Sequence, residues 1–476
     1  MTETSLPWLL LLVATPALGA LGVRRVVWRE RARQATLTVL TATAALAAWV
    51  AVATYQAGDG ALLVDPLRGA LVGEARPLLG VDALSAAPML LFALLALGVA
   101  AALPAAAASP AALARLLALT SLTLGLYAAL DLALLAALWG AALVPAAGSL
   151  ARRDARRVLL AYQGAGWLCL VGAVVLLAGG APAPLFIPEL GPARATGAVV
   201  PLLVCAVLLR KGVAPFHSWV PALFEGSPAG VAGLFVAAHA GVYLFVRVVV
   251  LRLDGALDAA LPVVALLAIV TALYAAVLAL AQRELSRVVA LLATSQSSFV
   301  LVGFAASDAL GAVGSLMVWL SVAVAFTGLA LAAGCLEARV GPVDLAQPRG
   351  HAARAPRLGV LFLLLGLGCC GAPGLLGFVS DDLLFHGLLE TFPLAGVAMV
   401  AATALNGFTV LRAYFHAFQG PPAPDLAPVG DLLPRERVAL TAMLVALLLA
   451  GALPGPAIAT RAGPARAVAR TVDEGR

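Results

Sequence analysis

Arg210 and Lys211 close an apolar run, and His217 follows them, in the stretch "LLRKGVAPFHSWVPALFEG" (208–226). His239 stands alone in "GLFVAAHAGVYLFVR" (233–247). Asp381 and Asp382 sit in "GFVSDDLLFHG" (377–387), with His386 one turn on. A charged side chain at the centre of a membrane helix costs about 2.5–3.5 kcal/mol on insertion scales, so ionisable groups kept in apolar runs need a reason. Lysine, histidine and aspartate can each gain and lose a proton near neutral pH once burial and neighbouring charge have shifted them. Arginine in practice cannot. Of the 30 basic residues only Lys211 is a lysine. These residue types point to stepwise proton movement, with Lys211 as the titratable cation and Arg210 as the fixed charge beside it.

Each group also has a plainer reading. Arg210 and Lys211 would mark a helix end and snorkel to an interface. His239 would be a hydrogen-bonded core histidine, and Asp381 and Asp382 would cap a helix N-terminus. His217, His386 and Arg412 read more readily as structural, and His351 and His416 fall in or near loops.

The surrounding chain is a membrane protein. Its 476 residues are 63% hydrophobic and only 11% charged, with a mean hydropathy of +1.03. Soluble domains carry about a quarter charged residues, so a soluble enzyme or nucleic-acid binder is excluded. Solid apolar runs near 20 residues predict transmembrane helices; a barrel would show alternation. The first run follows the acidic Glu3 rather than a basic stretch, so it reads as a retained helix and not a signal peptide. The five cysteines, Cys169, Cys205, Cys335, Cys369 and Cys370, lack metal-ligand spacing. No Walker loop, dinucleotide fingerprint, haem or iron–sulfur pattern is visible, which predicts no redox cofactor in this chain.

The expected fold is all-α: one polytopic membrane domain over 1–476 with about fourteen spans. They fall near 6–23, 35–55, 85–104, 111–129, 131–150, 157–179, 196–222, 228–250, 258–281, 286–305, 308–335, 357–388, 393–418 and 436–457, with an extramembrane loop over 56–84 and a frayed tail after Pro456. Arginine-rich segments at 24–33, 151–157, 282–287 and 338–357 all follow odd-numbered spans. The positive-inside rule makes them cytoplasmic and puts both termini outside, in an inner (plasma) membrane. Spans seven (Gly212, Pro215, Pro221) and twelve (Gly371, Pro373, Gly374, Gly377) carry helix breakers at matching depths of two five-span runs, 111–250 and 258–418. Freed backbone at membrane depth is tolerable only inside protein or along a wet cavity. The pattern predicts an inverted repeat with its transport path near the breaks.

Three stretches in the same order resemble one family. "KGVAPFHSWVPALFEGSPAGVAGLFVAAHAGVYLFVR", "ALAQRELSRVVALLATSQSSFVLVGF" and "GCCGAPGLLGFVSDDLLFHG" are similar to signatures of the antiporter-like membrane subunits of respiratory complex I. The start of the chain, "GVDALSAAP" and "YAALDLALLAALWGAALVP" are most similar to its subunit M branch. The resemblance covers nearly the whole chain. It implies a proton-translocating subunit of an NADH-quinone oxidoreductase, held in the bilayer among other membrane subunits. NADH, flavin, iron–sulfur clusters and quinone are then expected in partner subunits. It also leaves open a cation/proton antiporter, a membrane-bound hydrogenase, an inorganic-carbon uptake complex, or a subunit that no longer pumps. By position the family's polar axis falls on Arg210 rather than Lys211 for its span-seven lysine, on His239 and on Asp381. Two departures stand out. Gly140 follows Trp139 where the resemblance implies a glutamate, and the implied span-eleven histidine is absent, since "GSLMVWLSVAVAFTG" (314–328) has no titratable group.

Overall fold

The computed structural model describes residues 1–58, 60–66, 68–69, 76–179, 185–191, 197–253, 257–306, 309–421 and 430–474. The first residues of the expected spans at 196 and 308, and part of the 56–84 loop, lie outside them. Eighteen α-helices are described: α1 (Trp8–Arg24), α2 (Arg29–Gln56), α3 (Ala83–Ala102), α4 (Pro110–Ala128), α5 (Leu132–Gly148), α6 (Arg153–Ala178), α7 (Val199–Lys211), α8 (Trp219–Gly226), α9 (Ala229–Ala237), α10 (Ala240–Leu244), α11 (Leu257–Ala281), α12 (Leu285–Val302), α13 (Ala309–Val340), α14 (Pro356–Cys369), α15 (Leu376–Leu389), α16 (Pro393–Phe418), α17 (Pro434–Ala452) and α18 (Pro454–Glu474). Short strand pairs join the N-terminus to the 56–84 loop, with Leu63–Val64 between Thr2–Glu3 and Gly80–Val81.

Local sequence sets the helix ends. Asp82 and Ser85 form a capping box at α3, Ser109 caps α4 ahead of Pro110, and Asp131 accepts from the Ala133 and Leu134 amides to start α5. Asp131 is thus a cap. Among the described residues nine helices are long and apolar enough to cross a membrane, or ten if the bent pair α17–α18 counts as one. Other expected spans fall on shorter apolar helices (α1, α5, α14) or on helices broken in two. Helices α12 and α13 run through the middle, almost wholly covered by the rest.

The connections gather at two ends. At one, Glu225 bridges Arg152 and Arg287, Arg339 pairs with the buried Glu436, and Arg33 donates to the Leu103 carbonyl at 2.7 Å. The arginine-rich segments therefore share this end. At the other, Asp65 accepts the Leu9 and Leu10 amides at 3.1 and 2.7 Å. There Arg247 pairs with Asp82.

Two expectations are corrected. The tail after Pro456 is not frayed: it forms α18, bent 79° from α17. Arg461, fully buried, pins it through the Ala83 and Leu84 carbonyls and the Tyr55 hydroxyl. The segment 228–250 is not one straight helix either. His239 interrupts it with φ +44°, the one non-glycine residue in the left-handed region among those described, and Phe245–Val250 forms a π turn. Strained backbone of this kind persists only where surrounding structure enforces it.

Candidate functional site

Helix α7 ends at Lys211 because Gly212 takes the left-handed cap, φ +75°, and returns its amide to the Leu208 carbonyl at 3.0 Å. The polar backbone freed by this break is taken up by side chains. Trp219 Nε1 and Gln163 Nε2 both donate to the Leu209 carbonyl, at 3.1 and 3.3 Å. The Ala214 amide donates to Thr271 Oγ1 at 2.9 Å. No solvent is needed to satisfy those groups.

Two cations stand on this sealed end. Lys211 is 7% exposed and places Nζ 2.9 Å from Nδ1 of His239, itself 3% exposed. His239 reaches it because the helix breaks there. Tyr127 donates its hydroxyl to the Ala238 carbonyl left by the break, and Gly241 brings α10 against α7. A Cβ on Gly241 would lie 3.1 Å from the Val207 carbonyl. The ring edge faces Trp319, centroids 6.0 Å apart, and Nε2 is buried with no partner among the described residues.

Arg210 points elsewhere. Its guanidinium donates to Gln163 Oε1 at 2.8 Å and lies over the rings of Phe235 and Trp139, 4.1 and 5.2 Å from their centroids. Cation–π contact suits a desolvated arginine. Neither cation forms an ion pair with a carboxylate among the described residues. Both are buried, so neither snorkels.

The second break, between α14 and α15, is built from glycine: Gly371 and Gly374 have φ of +63° and +87°. Asp381 and Asp382 lie more than a turn into α15, whose first turn has no side-chain cap, so neither is a helix cap. Asp381 is half-buried with Oδ2 lacking a partner among the described residues. A Cβ on Gly371 would stand 2.7 Å from that oxygen. It opens on a cavity of ≈ 390 Å³ between α15 and α16, lined also by Cys370, Phe378 and Thr403. Asp382, with its side chain 53% exposed, turns outward to His386 at 3.4 Å. It still borders the same cavity as Asp381. His217 is half-buried, edge-on to Tyr274 with centroids 5.2 Å apart, and stands apart from the Lys211–His239 pair.

Residues 149–406, more than half of the chain, match the family described as NADH:quinone oxidoreductase/Mrp antiporter, TM. The chain belongs to this family. It is similar to NAD(P)H-quinone oxidoreductase chain 4 of Synechococcus sp. (strain JA-3-3Ab), 29% identical over 475 residues, 94% of this chain and 90% of that one. It is also similar to NADH-quinone oxidoreductase subunit 13 of Thermus thermophilus, 31% identical over 395 residues, 79% of this chain and 82% of that one. Its structure resembles a chain of respiratory complex I from Thermus thermophilus with bound NADH. The TM-score there is 0.85 at 25% identity, over 98% of this chain and 99% of that one.

Within the family frame the missing glutamate has a structural counterpart. A Cβ on Gly140 would lie 2.6 Å from Nε1 of Trp167, whose indole fills that space and donates to the Ala136 carbonyl at 2.9 Å. A packed tryptophan stands beside the position where the resemblance implies an acid. Sequence reasoning missed Gln163, Trp167 and Tyr127. Gln163 and Trp167 lie four apart on α6, a spacing that places two side chains on one face.

Proposed function

We propose that this chain is a proton-translocating membrane subunit of an NADH:quinone oxidoreductase-type complex, with electron transfer confined to partner subunits. It spans an inner (plasma) membrane fourteen times, with three helices (6–104) before two inverted five-helix repeats, 111–250 and 258–418, and a last helix (436–457) after them. Its arginine-rich end faces the cytoplasm, and both termini face outward. The observation that carries the reading is the buried contact between Lys211 Nζ and His239 Nδ1 at 2.9 Å, set at two helix breaks.

That contact is a hydrogen bond only if one nitrogen donates and the other accepts. An ammonium donates to a neutral imidazole, or an imidazolium donates to a neutral amine. Two neutral groups can share the bond as well, so the pair holds at most one excess proton: a second would put two cations in contact beside Arg210 with no carboxylate opposite. Arg210 keeps its charge throughout. Its role is electrostatic, setting how readily the pair accepts a proton. His239 completes the step: Nδ1 takes the proton from Lys211 and Nε2, otherwise unpartnered, releases it on the other side of the ring. Beyond it α12 and α16 carry Ser295, Gln296 and Asn406 in the interior, with Asn406 Nδ2 donating to Ser295 Oγ at 2.8 Å. Thr403, on α16, lines the cavity with Asp381, the second proton carrier.

Complexes carrying Lys211→Ala or His239→Ala, reconstituted in vesicles, are expected to move fewer protons per electron with electron transfer intact. An unchanged ratio would overturn the reading and leave the chain a structural subunit. The same family description names Mrp antiporters, which supports a second reading as part of a cation/proton antiporter. Proton movement that requires a sodium gradient and no electron donor would favour it.

A further inference from the structure

Besides Arg68 and Arg76, which pair with Glu3 and Glu189, five arginines stand on or beside the end of the molecule opposite the arginine-rich loops, and the positive-inside rule gives no reason for them there. Arg461 is explained, since it pins α18. The other four line a single cavity of ≈ 270 Å³ formed by α18, the start of α3 and the π turn: Arg247, Arg252, Arg466 and Arg470, with Asp82 the one carboxylate among the lining residues. Arg247 is 4% exposed and pairs with Asp82, yet its Nε is buried without a hydrogen-bond partner among the described residues. Arg252 Nε is buried and unpartnered in the same sense. Arg470, exposed at the rim, donates Nε to the Arg466 carbonyl at 3.4 Å.

Like charges brought together around a concave, partly dry space repel one another, and a guanidinium whose donors lack acceptors is costly to bury. Both costs are removed by an anion with several acceptor oxygens. The planar fork of arginine matches phosphate in a bidentate fashion, and a group of three guanidiniums (Arg247, Arg252 and Arg470) against one carboxylate leaves a net positive site. A small carboxylate would offer fewer acceptors than these donors require.

We propose that this cavity binds a phosphate group, held by Arg247 and Arg252 from within and by Arg470 at the rim. Two sources share that chemistry, a phospholipid headgroup and free inorganic phosphate. The 79° bend favours the first: with α17 taken to cross the bilayer, α18 runs nearly parallel to its surface, which would bring the cavity towards the headgroups. The site is independent of the proton path described above.

The test uses the intact complex, purified and delipidated in detergent. Its thermal unfolding is followed with added phosphatidylglycerol, phosphatidylcholine or inorganic phosphate, alongside mass-spectrometric counting of retained phospholipid. A stabilising shift with either phospholipid, or with inorganic phosphate alone, supports the site and names its source. The double variant Arg252→Gln/Arg470→Gln is expected to bind at least about tenfold more weakly, about 1.4 kcal/mol. Should that variant fail to assemble, the exposed Arg470→Gln alone decides, with a several-fold loss expected. No shift with any of the three additives, or a variant that binds like the wild type, overturns the proposal.

Discussion

The two helix breaks solve the same problem in opposite ways. Between α7 and α8 the freed backbone groups are satisfied by side chains, Trp219 at the start of α8 with Gln163 from α6 and Thr271 from α11, and the space is closed around two cations. Between α14 and α15 the turn closes on itself, with the Ala372 amide on the Leu367 carbonyl and the Leu375 amide on the Ala372 carbonyl, both at 3.2 Å. Its carboxylate, Asp381, looks into an open cavity. One site is sealed around its cations, and the other sets a carboxyl group against a cavity. A sealed site passes a proton only through its own titrating groups, whereas an accessible one can exchange with whatever enters. The contrast implies that the first half of the molecule holds the control point.

The sharpest challenge to that view is Lys211→Arg, which keeps the charge and removes the exchangeable proton. Proton transport is expected to fall roughly a hundredfold, the usual order for losing a positioned proton-transfer group. Transport that survives would reduce the pair to electrostatics. Asp381→Asn should cost less, about tenfold, because its cavity leaves other groups within reach; a larger loss than at Lys211 would reverse the ranking of the two sites. His239 allows fold and transport to be separated. Asparagine tolerates left-handed backbone better than alanine, so His239→Asn is expected to be about 1 kcal/mol more stable than His239→Ala while both fail to pump. Equal stability would mean the φ of +44° carries no strain.

The smallest effect lies outside the spans, in the linker between α13 and α14. Burial, with Arg349 nearby, holds the His351 imidazole below its usual range. The native state then resists protonation more than the unfolded chain does. Its contribution to stability is present above about pH 6.5 and is lost as pH falls below it. His351→Gln should flatten that acid-side loss in unfolding curves recorded between pH 7.5 and 5.5. An unchanged slope would assign the loss to other groups, and the correction matters when transport is profiled against pH.

Much of this was legible in the sequence, for identifiable reasons. Gly212 with Pro215 and Gly371 with Gly374 announce breaks through backbone chemistry alone, and the cost of burying Lys211, His239 and Asp381 singles them out. The break at His239 was not legible, because nothing in "FVAAHAGVY" forbids a helix. It depends on Tyr127 from α4 and on the close approach at Gly241, both tertiary. Trp167 filling the space beside Gly140 is a packing fact of the same kind. The polar character of the tail after Pro456 suggests fraying, yet the buried stripe of α18, Arg461, Ala465, Val468 and Val472, has helical spacing and was there to be found. Asp382 shares residue type and neighbourhood with Asp381, and only the helix phase separates them.

A chain with a single lysine, buried against a histidine, carries its own reporter. An amine-selective acylating reagent has one side chain to find, apart from the amino terminus, and it can reach that side chain only when the seal around α7 opens. The labelling rate of Lys211 would therefore time the opening directly, under turnover and at rest, without any probe having to be introduced.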